Sequence, residues 1–241
     1  MSLNQSEQKI LAARTAVETL VKKGLVFSGM KIGLGTGSTA LPAVKRLAEY
    51  IADGTLKNIK AVATSFQTEN ACIDWNVPVY SFKDRLIDGE LDLAIDGADE
   101  IDSENNCIKG GGAALLREKI VAYNAKKFAI VADSSKAVET LGTKFALPVE
   151  FIPEAYVPVK KALEKLGAKV LLREGVRKCG PVITDNGNQI VDCLWENPVD
   201  AAKMEDVIDD ITGVVEVGFF TKNKPLAFIG KEDGSVEIRG L

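Results

Sequence analysis

The chain has 241 residues, of which 46% are hydrophobic and 27% are charged, so it can bury a sizeable core in one large domain or two modest ones. Its formal net charge of −4 excludes a broad basic field for nucleic acid. No apolar run approaches the roughly 18 residues of a membrane span, and no secretory signal is predicted. Without a predicted span or signal, we expect a cytoplasmic enzyme. The absence of histidine removes the commonest general base and metal ligand, so we expect its chemistry to use carboxylates and lysines.

The cysteines give no sign of a metal centre. No two of them have C-x-x-C spacing, which is typical of reduced cytosolic thiols and not of a disulfide framework or a zinc site. They are Cys72, Cys107, Cys179 and Cys193. Without histidine and without clustered cysteines, we expect the protein to bind no metal.

The first predicted elements frame a glycine-rich loop. Apolar residues at helical spacing predict a helix over residues 6–21, and residues 30–34 read as a buried strand. That strand leads through Gly-Thr-Gly-Ser-Thr, residues 35–39, into a second helix. A glycine loop between a strand and a helix presents backbone N–H groups to an anion. We expect the loop to hold a single phosphate through these amides, including that of Gly37, and through the hydroxyls of Thr36, Ser38 and Thr39.

Other interpretations compete for the same loop. The P-loop pattern G-x-x-x-x-G-K-[ST] is absent, and no lysine follows the glycines. Gly35, Gly37 and Ala40 match the looser dinucleotide fingerprint, but the next predicted strand, 59–63, is followed by no acidic residue to hold a ribose hydroxyl. We therefore expect no NAD, while a tight structural turn stays open as the alternative to a phosphate site.

A second polar cluster follows the predicted strand 91–95. We expect Asp96 and Asp99 just past the carboxyl end of that strand, where open α/β sheets bind ligands. The three glycines 110–112 are expected to open a helix whose free N–H groups attract anions, and Lys109 adds a positive charge beside them. The cluster predicts two carboxylates and a cation at a crevice.

Glu118 is the candidate general base. Arg117 and Lys119 would project to either side of it, so we expect its carboxylate to face the interior, where desolvation raises its pKa toward the range useful for a base. The alternative is a salt-bridged glutamate on a helix. At about 100° per residue, Glu118 shares one arc of its helix with apolar residues, namely Ala114, Leu115, Val121 and Ala122.

Lys136 lies just beyond another predicted strand, 128–132. It is either a ligand-binding lysine or a solvated lysine at a helix start. With this strand the first part of the chain alternates strands and helices, which predicts an α/β domain with an open parallel sheet.

A second domain is predicted to start near residue 147, where prolines flank a short strand. From 147 to 220 the predicted order is strand, helix, strand, strand, helix, strand, which resembles a ferredoxin-like layer. The Asn-Gly pair at 186–187 predicts a hairpin between strands at 182–184 and 189–193. Residues 226–238 predict a terminal hairpin.

Four sequence runs resemble the signature blocks of type A ribose-5-phosphate isomerases, in that family's order and spacing. They are GTGST at 35–39, DGADE at 96–100, KGGGAA at 109–114 and REKI at 117–120. The resemblance implies a Rossmann-like catalytic domain formed by 1–146 with 222–241, a smaller ferredoxin-like α+β domain over 147–221, and a homodimer or homotetramer.

The resemblance also implies an activity and its residues. The reaction is the interconversion of D-ribose 5-phosphate and D-ribulose 5-phosphate in the pentose phosphate pathway, by proton transfer through an enediolate without metal or redox cofactor. Glu118 is then the base, Lys109 and the glycine run stabilise the oxyanion, and Asp96 and Asp99 bind sugar hydroxyls. The implied substrate-binding residues are Thr36, Gly37, Ser38, Thr39, Asp96, Gly97, Ala98, Asp99, Lys109, Gly110, Gly111, Gly112 and Lys136.

Two functions of other classes remain as alternatives. Sugar-phosphate-sensing regulators resemble this fold, but they carry an N-terminal helix-turn-helix module, and only one helix is predicted before the strand at residue 30. CoA transferases of related fold use a glutamate nucleophile, and an acyl-CoA would then leave a covalent glutamyl thioester.

Overall fold

The computed structural model describes residues 2–241. The α-helices of this part of the chain are α1 (Gln5–Lys22), α2 (Gly37–Ala52), α3 (Phe66–Asp74), α4 (Leu115–Tyr123), α5 (Tyr156–Lys165) and α6 (Ala201–Asp209). The first seven strands are β1 (Lys31–Leu34), β2 (Lys60–Ala63), β3 (Leu93–Gly97), β4 (Glu100–Ile101), β5 (Cys107–Ile108), β6 (Phe128–Asp133) and β7 (Leu147–Phe151). The remaining strands are β8 (Lys169–Leu172), β9 (Gln189–Leu194), β10 (Val214–Val217), β11 (Phe219–Phe220), β12 (Leu226–Gly230) and β13 (Val236–Arg239).

The chain forms two compact units. The first contains the chain up to Ala98 together with Arg117–Ala137 and Asn223–Leu241, and the second contains Asp99–Leu116 and Val138–Lys222. The predicted boundaries near 147 and 222 place 99–116 and 138–146 in the other domain. These segments group with the second unit because β4 and β5 join β11 in one small sheet, and because the Val138 N–H donates to the Ile101 carbonyl at 2.9 Å.

The first unit is built on a six-stranded sheet of order β13-β12-β6-β3-β1-β2. All its neighbouring strands are parallel except β12 and β13, which form the terminal hairpin. All six residues of β6 are buried, as expected for a central parallel strand that helices cover on both faces. This is the predicted open parallel sheet, and the terminal hairpin belongs to it.

The second unit contains an antiparallel sheet of order β10-β7-β9-β8, with α5 and α6 in the connections. The succession β7-α5-β8-β9-α6-β10 in this strand order is the ferredoxin-like arrangement that the sequence predicts. The predicted strand at 182–184 is wrong, because this segment is irregular and β8 is the partner of β9. Thr184, Asn186 and Asn188 instead donate from their side chains to one oxygen of the buried Glu150.

Two local predictions also need correction. Asp96 lies within β3, because the strand continues to Gly97 and keeps its pairing with β6 there. The glycines 110–112 do not open α4. The N–H of Ala113 donates to the Gly110 carbonyl at 3.0 Å, which closes a turn, and the helix starts only at Leu115.

Across residues 2–241, no helix combines the length and the apolar character needed to cross a membrane.

Candidate active site

The loop at residues 35–39, called the phosphate loop below, rests on the carboxylate of Asp96. The Thr36 N–H donates to Asp96 Oδ1 at 3.1 Å, and the Gly35 N–H donates to the Ile95 carbonyl at 2.9 Å. A Cβ on Gly35 would lie 1.9 Å from Asp96 Oδ1, so only glycine permits this approach. Asp96 is 3% exposed and also accepts from the Gly97 N–H at 2.7 Å. The ends of β1 and β3 are therefore joined through one buried carboxylate.

Hydroxyl groups from the end of β2 hold the phosphate loop from the other side. Thr36 Oγ1 lies 2.7 Å from Thr64 Oγ1 and 2.7 Å from Ser65 Oγ, while Thr68 Oγ1 donates to the Gly35 carbonyl at 2.7 Å. The Thr36 side chain makes no capping bond to α2. The expected phosphate-binding hydroxyl of Thr36 thus takes part in a network that fixes the loop.

Gln67 makes a contact with the phosphate loop that the sequence did not predict. The spacing of Thr64 and Gln67 is that of a capping box, but Ser65 caps α3 by accepting from the Thr68 N–H. Gln67 Oε1 instead accepts from the Gly37 N–H at 3.0 Å. The Gln67 side chain therefore accepts from one of the backbone N–H groups that we expect to bind a phosphate.

Ser38 and Thr39 occupy different environments at the start of α2. Ser38 is exposed, and Lys9 Nζ on α1 donates to its hydroxyl at 3.3 Å. Thr39 is 9% exposed and packs against Gly97, where an added Cβ would lie 3.3 Å from Thr39 Cβ. Lys9 was not predicted, because it stands 29 positions before Ser38 in a helix that reads as a packing element.

Glu118 is buried as predicted. It is 5% exposed, and its arc of α4 is buried with it, since Ala114, Leu115, Val121 and Ala122 are each 4% exposed or less. The Arg117 guanidinium carbon lies 4.7 Å from the centroid of the Phe66 ring. Lys119 is itself buried, and its Nζ lies 5.7 Å from the centroid of the Tyr123 ring. The Glu118 carboxylate therefore lies in the interior, as the arc of α4 predicts.

Lys136 ends a single 3-10 turn, Ser134–Lys136, directly after β6. It is half-buried, and the turn is fixed by Asp133, whose side chain accepts from the Ser135 N–H at 3.1 Å. Gln8 on α1 accepts from the N–H and hydroxyl of Ser134. Since β1, β3 and β6 are parallel neighbours, the phosphate loop and this turn follow strand ends on one side of the sheet, where Asp96 lies in the last residues of β3.

In the second unit, residues 109–113 form a turn, called the glycine turn below. Gly110 has a φ of +109°, which favours glycine, and the Gly111 N–H donates to Asp99 Oδ2 at 2.7 Å. Lys109 is 2% exposed, its N–H donates to the Gly218 carbonyl at 2.9 Å, and its Nζ lies 5.6 Å from the centroid of the Phe220 ring. The structure therefore brings together Asp99 and the glycines as expected, and it places the lysine in a buried position.

The thiols lie outside these groups. All four cysteines are free, and only Cys179 is exposed. Burial raises the pKa of the Cys72 thiol to about 11 and that of the Cys193 thiol to about 12, so both stay protonated at neutral pH. Among residues 2–241, no group of three or more acidic or cysteine side chains could hold a metal ion.

The fold and these groups define an α/β protein with carboxylates and a glycine-rich loop near the carboxyl ends of its parallel strands. Residues 60–234 match the family model of ribose 5-phosphate isomerase A, also called phosphoriboisomerase A. A ribose-5-phosphate isomerase A of Treponema denticola is 55% identical over 98% of this chain and 99% of its own length. The chain therefore belongs to the ribose 5-phosphate isomerase A family.

Solved structures agree with this assignment. The ribose 5-phosphate isomerase A of Methanocaldococcus jannaschii has a TM-score of 0.87 and 41% identity, covering 96% of this chain and 97% of its own. A D-ribose-5-phosphate isomerase in complex with phospho-erythronic acid has a TM-score of 0.90 and 38% identity, covering 98% and 99%. The predicted fold class and family resemblance are confirmed.

Proposed function

We propose that this protein interconverts D-ribose 5-phosphate and D-ribulose 5-phosphate, as a step of the pentose phosphate pathway, with Glu118 as the general base. The observation that carries the mechanism is the burial of Glu118 on the apolar arc of α4. A carboxylate in the interior is kept in one position by the residues packed around it, which a base that must reach two neighbouring carbons requires. Such a base can move a proton between C2 and C1 of the sugar.

We assign the phosphate of the substrate to the phosphate loop. The N-terminus of α2 supplies backbone N–H groups and the positive end of the helix dipole. Lys9, which bonds the Ser38 hydroxyl, adds a positive charge at the same place. Ser38, Thr39 and Gly37 are the proposed ligands, and binding would displace Gln67 from the Gly37 N–H. Lys136 is a further proposed ligand.

We assign roles around the chemical step to four groups besides Glu118. Lys109 and the amides of the glycine turn would stabilise the oxyanion that develops as the enediolate forms. Asp96 and Asp99 would bind sugar hydroxyls, with Gly97 and Ala98 supplying backbone between them. The scheme includes no metal and no redox cofactor: one sugar carbon is oxidised while its neighbour is reduced, Glu118 carries the proton, and protein donors hold the oxyanion.

Replacement of Glu118 by glutamine tests the proposal. Glu118→Gln keeps the size of the side chain but cannot take a proton, so we expect normal folding, a KM within a few-fold of the parent, and a kcat lower by about 10²–10⁴. The exposed Glu139, changed in the same way, is the control and should keep parental kcat. The measurement is ketose formation from ribose 5-phosphate.

Solvent exchange adds a second readout. In D₂O the parent should place deuterium in substrate recovered at partial conversion, and the Glu118→Gln protein should place almost none. A glutamine variant with near-parental kcat would transfer the role of base to Asp96 or Asp99. A parent protein that forms no ketose at all would contradict the proposed reaction itself.

We also propose that the protein acts in the cytoplasm as a homodimer or homotetramer. The four free cysteines support a reducing compartment, and the family resemblance supports assembly. Sedimentation of active protein tests the second statement, and a fully active monomer would contradict it.

A further inference from the structure

Arg173 contacts the glycine turn from the ferredoxin-like part of the second unit. It follows β8 directly, and its Nη1 donates to the Gly110 carbonyl at 2.8 Å and to the Gly111 carbonyl at 3.3 Å. The other edge of the guanidinium binds Asp192 on β9. Nε donates to Asp192 Oδ2 at 2.9 Å and Nη2 donates to Asp192 Oδ1. The Arg173 side chain is only 14% exposed.

Because peptide bonds are planar, the contact of Arg173 with two carbonyl groups also fixes the direction of two backbone N–H groups. In a trans peptide the carbonyl and the N–H point in opposite directions. The Gly110 carbonyl and the Gly111 N–H belong to one peptide unit. Arg173 holds the carbonyl side, and the N–H on the other side donates to Asp99 Oδ2 at 2.7 Å. The Gly111 carbonyl is linked in the same way to the Gly112 N–H, so one guanidinium orients both amides.

The charge of Arg173 also acts on these amides. A cation bound to a carbonyl oxygen polarises the peptide unit, which makes its N–H a better donor to an anion on the opposite side. Arginine suits this position because its planar fork can bind Asp192 with one edge and the carbonyl oxygens with another. A lysine has a single point charge and cannot keep all of these bonds.

We propose that Arg173, held by Asp192, is a positioning residue for the glycine turn: it fixes the Gly111 amide that holds the Asp99 carboxylate, and it aims the Gly112 amide at the oxyanion formed during isomerisation. Three successive glycines have little backbone preference of their own, so the turn needs an outside contact to keep one conformation. Arg173 does not touch the substrate in this scheme and acts through the turn. The proposal rests on the proposed function of the glycine turn.

The test compares Arg173→Met with Arg173→Lys and Asp192→Asn, and the control is Arg177→Met. Arg177 is exposed in the same β8–β9 connection and lies outside the proposed site. Because the oxyanion exists only in the transition state, Arg173→Met should lower kcat by about 10-fold to 10²-fold and leave the KM for ribose 5-phosphate within about threefold. Arg173→Lys and Asp192→Asn should fall between this variant and the parent.

Two inhibitors distinguish a loss of amide positioning in the glycine turn from a general disturbance of the active site. The carboxylate of phospho-erythronic acid would meet the glycine turn, so its inhibition constant should rise at least about tenfold in Arg173→Met. Inorganic phosphate binds only the phosphate loop in this scheme, and its inhibition constant should stay within twofold of the parent. Kinetic values are referred to folded protein, measured by circular dichroism.

Each outcome either supports or contradicts the positioning role of Arg173. A folded Arg173→Met protein with parental kcat overturns the proposal, and so does an equal loss in Arg177→Met. If Arg173→Met does not fold, the lysine and asparagine variants decide, and parental kcat in both overturns it. The proposed function fails separately, since a parent without isomerase activity contradicts the reaction, whereas an active parent with an unaffected Arg173→Met contradicts only this inference.

Discussion

The phosphate loop and the glycine turn are both glycine-rich, yet different contacts hold them. The phosphate loop joins β1 to α2, and residues at adjacent strand ends, Asp96 and Thr64, bond it. The glycine turn precedes α4 and is held by Arg173, which lies 63 positions further along the chain than Gly110. Distant side chains hold both regions, carboxylate and amide oxygens in the first and a guanidinium in the second, so a glycine run marks a close backbone approach without saying which side chains fix it.

We expect the two regions to differ in function as well, with one contributing to substrate affinity and the other to the chemical step. The phosphate loop should supply binding energy, and the glycine turn should act on the transition state alone. The four experiments below test that division, beginning with the largest expected effect.

Removing the 5-phosphate from the substrate should have the largest effect. Ribose should be converted with a kcat/KM at least about 10³-fold lower than ribose 5-phosphate, the worth of two or three charge-assisted hydrogen bonds. Part of the loss should fall on kcat, because remote binding energy also supports the chemical step. Steady-state ketose formation from both sugars measures it. Comparable turnover of ribose would remove the phosphate loop from the mechanism.

A methyl group added to the glycine turn should lower mainly kcat, whereas one added beside the phosphate loop should raise mainly KM. A Cβ on Gly111 would lie 2.5 Å from Asp99 Oδ1, so Gly111→Ala must displace the turn or the carboxylate. Because a misplacement of about 1 Å can cost 10²-fold, we expect kcat to fall by about that factor, and KM to change far less than kcat although Asp99 also binds a sugar hydroxyl in this scheme. The matched variant Gly97→Ala meets Thr39 Cβ at 3.3 Å and should raise KM a few-fold while kcat stays near the parent. Identical patterns for the two variants would contradict the division.

Lys9→Met should weaken substrate binding by a smaller amount. The side chain bonds the Ser38 hydroxyl at 3.3 Å, and loss of a charged hydrogen-bond partner costs about tenfold in affinity, which should appear in KM. Lys22, exposed at the other end of α1, provides the control, and Lys22→Met should match the parent. A change of kcat without a change of KM in Lys9→Met would place Lys9 outside the phosphate site.

A chelator should have no measurable effect. The chain has no histidine, and neither region depends on a metal in the proposed mechanism. Activity measured in excess EDTA should equal that of untreated enzyme. Strong inhibition that one added metal reverses would require a metal in one of the two regions.

The sequence predicted most of the elements because their patterns are local. Apolar periodicity identified α1, the strands of the parallel sheet and the order of elements in the ferredoxin-like arrangement. It placed Glu118 on a buried arc, since Glu118 and its apolar neighbours all belong to one helix. It misplaced the strand at 182–184, because the polar bonds of Thr184 to Glu150 are not visible in a hydrophobic pattern.

Long-range contacts decided what the sequence could not. Three polar side chains look like ordinary surface residues in the sequence, and only the fold brings each of them to a glycine-rich segment. They are Lys9, Gln67 and Arg173. The sequence by itself determined the family, the fold class and the burial of Glu118, because these follow from signature blocks and short-range periodicity. The tertiary structure alone determined the partners of each backbone amide, because a hydrogen bond depends on where distant parts of the chain meet in space.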